Sequence, residues 1–190
     1  LCDRAQYDIS GNQMIQVADL ADSLAAVKEL VYDTGMISRA ELMASLETEF
    51  EGHEVTRQML LHKAPKYGND VEWVDALGAR WAQYFRRRMK DYTNCRGGIC
   101  HTGMYTVSAH VPMGENVGAS PDGRKAGTPL ADGGMSPAYG RDESGPTAVL
   151  KSVSRLGDSL TTNGGLLNMN FLPAFFETEE GRQKFELFLR

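Results

Sequence analysis

The sequence predicts an α/β protein, and three patterns carry that expectation. Apolar residues recur at three- and four-residue steps through most of the chain before residue 90. The period drops to two after Gly97-Gly98, and helical patterning returns beyond Pro146.

The elements follow in order. Leu20, Leu24, Val27, Leu30 and Val31 place an apolar stripe on a helix from about Ala18 to Tyr32, with Gly35 as its stop. Ser38-Arg-Ala-Glu41 has the form of a capping box, in which hydroxyl and carboxylate serve each other's backbone amides. Leu42, Leu46 and Phe50 continue that helix. A shorter helix spans about Val55 to His62 and ends before Pro65. Asn69 or Asp70 then caps a long helix on which Val74, Leu77, Trp81, Phe85 and Met89 share a face. The basic run Arg86-Arg87-Arg88 with Lys90 complements the dipole at its end as a solvated face.

Alternation marks a strand from about Met104 to Val111. Tyr105, Val107, Ala109 and Val111 face one way, and Met104, Thr106, Ser108 and His110 face the other. So polar a face, on a strand flanked by helices, meets water or lines a cavity. Pro146 opens a short helix through Leu156, Leu166 to Phe171 reads as another strand broken by Pro173, and Thr178 caps a terminal helix. Between strand and helix, residues 118–150 form a loop too specific for a linker. Gly and Pro alternate with the charges Asp122, Arg124, Lys125 and Asp132 and with anchoring Leu130 and Met135.

Bulk composition excludes several classes of function. A chain of 190 residues with 42% apolar and 24% charged residues and a net charge of -5 is an ordinary globular composition, without the basic excess of a nucleic-acid binder. No apolar run approaches the roughly 20 residues that span a bilayer, so neither membrane nor nucleic acid is an expected partner and the expected address is cytoplasmic. Cys2, Cys95 and Cys100 are too few for a disulfide framework and fit reduced thiols. The chain opens on Leu1-Cys2 and closes at Arg190 inside an apolar helix, which predicts a segment of a longer protein.

Three chemistries fail on their motifs. Gly118-x-x-x-x-Gly123 precedes Arg124-Lys125 where a phosphate loop needs Lys followed by Ser or Thr, and Pro129 stands where its helix would start. Cys95-x-x-x-x-Cys100-His101 lacks the spacing and the second cluster of a zinc site, so no metal is expected. No Gly-x-Ser-x-Gly elbow is present. Among the four histidines only His110 is a candidate site residue, with a hydrogen-bonded structural role as the alternative.

Four stretches, in order, carry a family resemblance. They are Asn12 through Lys28, Ala64-Pro-Lys-Tyr-Gly-Asn-Asp70, the loop Gly123-Arg-Lys-Ala-Gly-Thr-Pro-Leu-Ala-Asp-Gly133 with Ser136-Pro137, Gly140-Arg-Asp142 and Gly145-Pro-Thr-Ala148, and Asn163-Gly-Gly-Leu-Leu-Asn-Met-Asn-Phe171. Together they make the chain resemble the pyruvate formate-lyase-like domain of the glycyl radical enzymes across nearly its full length. The resemblance implies a segment, residues 1–190, of a ten-stranded α/β barrel of two antiparallel half-barrels ringed by helices, with radical chemistry sealed inside.

It also implies that one face of the strand from about Met104 to Val111, either Thr106, Ser108 and His110 or the opposite face bearing Tyr105, borders the substrate cavity. The full-length family carries a glycyl radical, installed by a radical S-adenosylmethionine iron-sulfur activase, and a cysteine that becomes a thiyl radical. Neither the Arg-Val-x-Gly-Tyr motif nor the cysteine loop is recognisable here, so the catalytic pair and the glycyl radical domain are expected outside this segment, leaving it inactive alone. Gly133-Gly-Met-Ser-Pro137 and Leu167-Asn-Met-Asn-Phe-Leu-Pro173 resemble the dehydratase, lyase and decarboxylase branch more than the formate C-acetyltransferase branch. A small-molecule substrate, the activase and a second copy in a homodimer are the partners this implies. The reading from another class is a non-catalytic remnant or assembly module. In isolation the Leu24/Val27/Val31 face is expected to be exposed and to promote aggregation.

Overall fold

A computed structural model describes residues 7–157 and 161–190. Cys2 and the opening Leu1-Cys2 lie outside the described residues. Strand β1 (Ile9–Gln13) pairs in parallel with β2 (Ile99–Gly103), Ile9 opposite Ile99 and Gln13 opposite Gly103. Between them run α1 (Val17–Ala26), α2 (Arg39–Glu47), α3 (Glu54–His62) and α4 (Glu72–Met89). After β2 come a short α5 (His110–Gly114), the long loop, α6 (Pro146–Arg155) and α7 (Glu179–Leu189). Helices around a parallel strand pair fit the α/β class.

Local signals place several boundaries. Glu41 N–H donates to Ser38 Oγ at 3.1 Å at the start of α2, while the Glu41 carboxylate, expected to return the bond, accepts from Thr56 Oγ1 at 2.6 Å; Gly181 N–H donates to Thr178 Oγ1 at 3.1 Å at the start of α7. Pro146 takes the first turn of α6, where its missing N–H costs nothing. The cap expected from Asn69 or Asp70 is not formed. Val71 occupies that position without a side-chain cap. Asn69 instead accepts from the amides of Glu143 and Ser144 and donates to Arg141 O at 2.7 Å, tying the turn to the far end of the loop.

The buried face of α1 differs from the expected stripe. Val17, Ala18, Ala21, Ala25 and Ala26 are buried, together with Asp19 and Asp22, whereas Leu20 and Leu24 are half-buried. The reason is the neighbour. α1 packs on α4, whose Val74, Gly78, Ala79 and Ala82 are buried in turn, and small residues on both sides let the backbones approach. A Cβ added at Gly78 would stand 2.9 Å from Val17 Cγ1. Beyond Ala26 the helix widens into a π-helical segment, Val27–Asp33. There Val27 and Val31 pack against a second core of Leu30, Ile37, Leu42, Phe50 and Leu60, so two residues of the face expected to be exposed are partly covered, and Leu24 is half-buried.

Two further expectations are corrected on α4. Trp81 is 42% exposed and meets Tyr84 edge-on at 5.8 Å. Arg86, read as part of a solvated basic face, is buried, and its guanidinium donates to the carbonyls of Leu156 (3.1 Å) and Gly157 at the end of α6. The strand expected over Met104 to Val111 ends earlier. After β2 and a single bridge at Met104 the chain turns, with Val107 at φ 52° and Ala109 N–H donating to Thr106 O at 2.9 Å, and His110 begins α5. A β-branched residue at positive φ cannot continue an extended run. The strand expected over Leu166 to Phe171 is reduced to single bridges, Gly165 to Met104 and Leu166 to Gly134.

Gly78→Val is expected to destabilise the chain by about 1–3 kcal/mol by overpacking the α1–α4 crossing. Urea unfolding checks it, and an unchanged midpoint would show that the crossing can yield.

Candidate functional site

The loop after α5 is built into the core. Leu130, Ala131, Met135 and Ala138 are buried, and the last three join the cluster formed by α1, α4, Tyr67, Met104 and Leu156. Gly134 (φ 94°) lets the loop backbone lie on Met104, since a Cβ there would stand 2.5 Å from the Met104 carbonyl carbon and oxygen. Leu166 N–H donates to Met104 O at 2.9 Å and Met135 N–H donates to Leu166 O at 3.2 Å, so residues 165–166 stitch the end of β2 to the loop.

Charge holds the rest of it. Buried Arg124 donates to the carbonyls of Thr128 (2.8 Å), Lys125 (3.1 Å), Val117 (3.3 Å) and Gly118, fixing both limbs of the turn from one guanidinium. Arg141 lies 3.0 Å from Asp122 Oδ2 and 3.5 Å from Asp22 Oδ2, and both carboxylates are fully buried. Asp22 accepts from Tyr67 N–H at 2.7 Å, and Asp19 accepts from Ala131 N–H at 2.8 Å. Buried Lys66 donates to Leu60 O at 2.6 Å. Three carboxylates and three cations thus share one interior.

Their titration follows from that burial. Desolvation raises the Asp19 carboxyl from its ordinary 3.8 to about 6, against the lowering effect of the Ala131 amide. Desolvation also raises Asp22, opposed by the charge of Lys66, and desolvation lowers Lys66, opposed by Asp22.

A groove of 390 Å³ opens beside this cluster, lined by Asp132, Ser136, Tyr139, Asp142, Asn168, Asn170 and Phe171 among others. Asp132 Oδ2 accepts from Asn168 Nδ2 at 2.8 Å, and Ser136 Oγ accepts from Asn168 N–H at 2.9 Å, so the floor is ordered. Of the four residues expected at a cavity, Thr106 and His110 are buried, Tyr105 is half-buried and Ser108 is exposed. They follow one another along a turn and into α5. None of the four is among the groove's lining residues, but His110 touches two that are. Its Nε2 is 3.0 Å from the Tyr139 hydroxyl, and its Nδ1 is 3.5 Å from Asp132 Oδ1. Sequence reasoning missed Tyr139, Arg141 and the two aspartates of α1. The signal for the latter was present as acidic residues three apart on a face of alanines.

Comparison with known proteins decides the family. The description "Pyruvate formate lyase-like" matches residues 2–114, and "Glycine radical" matches residues 131–190. The chain belongs to the pyruvate formate lyase-like family of glycyl radical enzymes. A glycine radical region, expected outside the segment, is thus matched within it at residues 131–190, and residues 115–130 between the two matches are the stretch that Arg124 holds together. Over 98% of its length this glycyl radical enzyme chain is 45% identical to the probable dehydratase YbiW of Escherichia coli (strain K12), of which it covers 24%. Over 90% of its length it is 39% identical to the isethionate sulfite-lyase of Desulfovibrio desulfuricans, of which it covers 21%. Among solved structures, the glycerol-bound form of the B12-independent glycerol dehydratase from Clostridium butyricum superposes with a TM-score of 0.88 at 42% identity, covering 98% of this chain and 23% of that one. The chain therefore spans about a quarter of the length of these relatives. Among the described residues no helix is long and apolar enough to cross a membrane, and no group of three or more metal-ligating side chains stands together.

Two outcomes are expected from the ion cluster. A carboxyl raised in the folded state contributes stability below pH 3.8 that is lost as pH rises to about 6. Asp19→Asn should remove that slope, worth roughly 3 kcal/mol for a shift of about two units, as measured by urea unfolding at pH 4 to 7; an unchanged slope would contradict the assignment. Arg141→Met, which strands two buried carboxylates, should cost about 3–5 kcal/mol in the same assay.

Proposed function

We propose that this segment forms wall and loop scaffold of the substrate chamber in a full-length glycyl radical enzyme of the dehydratase, lyase or decarboxylase branch, cleaving a C–O, C–N, C–S or C–C bond of a small substrate without oxygen. The observation that carries this reading is the 45% identity to a probable dehydratase across 98% of the chain. It is supported by the glycerol dehydratase backbone, followed at a TM-score of 0.88.

In this reading the thiyl cysteine and the radical glycine lie outside residues 1–190, and the segment alone is inactive. Cys95 is exposed and Cys100 half-buried, in no catalytic-loop context, and none of the 20 glycines stands in an Arg-Val-x-Gly-Tyr motif. The glycyl radical would be installed by a radical S-adenosylmethionine iron-sulfur activase, in the cytoplasm, on an enzyme able to form a homodimer. Barrel wall would come from residues 2–114, the stretch that matches the pyruvate formate lyase-like description, and residues 131–190 would belong to the glycine radical region, with Thr106, Ser108 and His110, or Tyr105 on the other side of the chain, bordering the chamber. The burial of Thr106 and His110 supports that placement, because a radical is preserved by a wall that excludes water. The exposed Trp81/Tyr84 edge would be covered by the remainder of the enzyme.

The test is electron paramagnetic resonance of the full-length protein after anaerobic activation. A glycyl doublet with turnover of a small diol or sulfonate is expected, and no signal from residues 1–190 alone. Silence from intact, correctly activated protein would overturn the reading.

A further inference from the structure

His110 is only 8% exposed, and its Nδ1 has no hydrogen-bond partner among the described residues, yet it lies 3.5 Å from Asp132 Oδ1. That geometry selects a tautomer. A bare Nδ1 lone pair would face a carboxylate lone pair away from water, which is repulsive, whereas a proton on Nδ1 turns the same approach into attraction. With the proton on Nδ1, Nε2 is an acceptor, and the Tyr139 hydroxyl 3.0 Å away must be the donor. Donating inward leaves the lone pairs of Tyr139 Oη turned away from His110. The Tyr139 residue is 58% exposed and, with Asp132, lines the 390 Å³ groove, whose other walls offer Ser136, Asn168 and Asn170.

We propose that Asp132, His110 and Tyr139 form a proton relay whose outer end, Tyr139 Oη, accepts a hydrogen bond from the hydroxyl of a small polar ligand in this groove. The proton balance is simple. The ligand O–H proton passes to Tyr139 Oη as the Tyr139 proton moves to His110 Nε2, leaving the ligand oxygen anionic and an imidazolium beside Asp132; the reverse transfer restores all three. No electron changes hands. A phenol is protonated at neutral pH at its ordinary value, and at Tyr139 burial, then the charge of Asp132, raises it further. The relay stands on this geometry and not on radical chemistry, so a silent paramagnetic spectrum would leave it untouched.

Nitrogen-15 labelling of histidine alone in the full-length protein reports the tautomer, with the His110 resonances assigned by their loss in His110→Gln. The expected result is protonated Nδ1 and unprotonated Nε2 at His110. Tyr139→Phe, at an exposed ring, should shift His110 and leave the other imidazoles in place, while Asp132→Asn should move the proton toward Nε2. Glycerol, used as a hydroxyl probe, should shift the His110 signals in the parent chain and not in Tyr139→Phe. Predominant Nε2–H in the parent chain, or indifference of His110 to Tyr139→Phe, would overturn the relay. Indifference to saturating glycerol would overturn its ligand-facing end.

Discussion

The contact on which the rest depends is the ion pair between Asp122 and Arg141, with Asp22 on the other side of the same guanidinium. Both carboxylates are fully buried, and removing one partner of a buried ion pair leaves an uncompensated charge. Those partners come from distant parts of the sequence: α1 supplies Asp22, the turn before α4 supplies Tyr67 N–H, and the loop supplies Asp122 and Arg141. The loop is therefore as much a part of the core as the helices, despite its lack of regular structure.

That constraint sets what the loop presents outward. With Arg124 pinning four carbonyls and Asp19 pinning Ala131 N–H, the chain from Thr128 to Met135 has little freedom. Leu130 N–H then reaches His110 O at 3.2 Å, so the start of α5 is set against the loop that carries Asp132. Tyr139 follows two residues before Arg141, and its ring is held over the groove by the same anchoring. Electrostatics below the surface fixes the hydrogen-bonding geometry at the surface, and the desolvation that raises Asp19 is the cost of that arrangement.

What the sequence made legible was local or repetitive. Ser38 and Glu41, or Thr178 and Gly181, lie within one turn of each other, so their spacing alone specifies the cap. The motif-rich loop and the order of the four stretches pointed to the family. The buried side of α1 was not legible, because leucines outrank alanines in any periodic count, and only the close approach to Gly78 makes the alanine face the buried one. The strand end was misread for a similar reason. Alternation from Met104 to Val111 describes a face, but a strand also needs a partner, and β1 ends opposite Gly103. The cavity residues then fell on a turn, where the partners of His110 arrive from more than twenty residues away.

Amide hydrogen exchange tests the central claim, that buried charge makes this loop part of the cooperative core. The reporters are the amides that donate to the buried carboxylates, Tyr67 to Asp22, Ala131 to Asp19 and Arg124 to Asp122. In the intact chain under native conditions they should exchange only through global opening, with protection equal to that of core amides in α4. Exchange of Ala131 and Arg124 by local opening, far faster than the α4 core, would show a loop resting on the surface and would contradict the account.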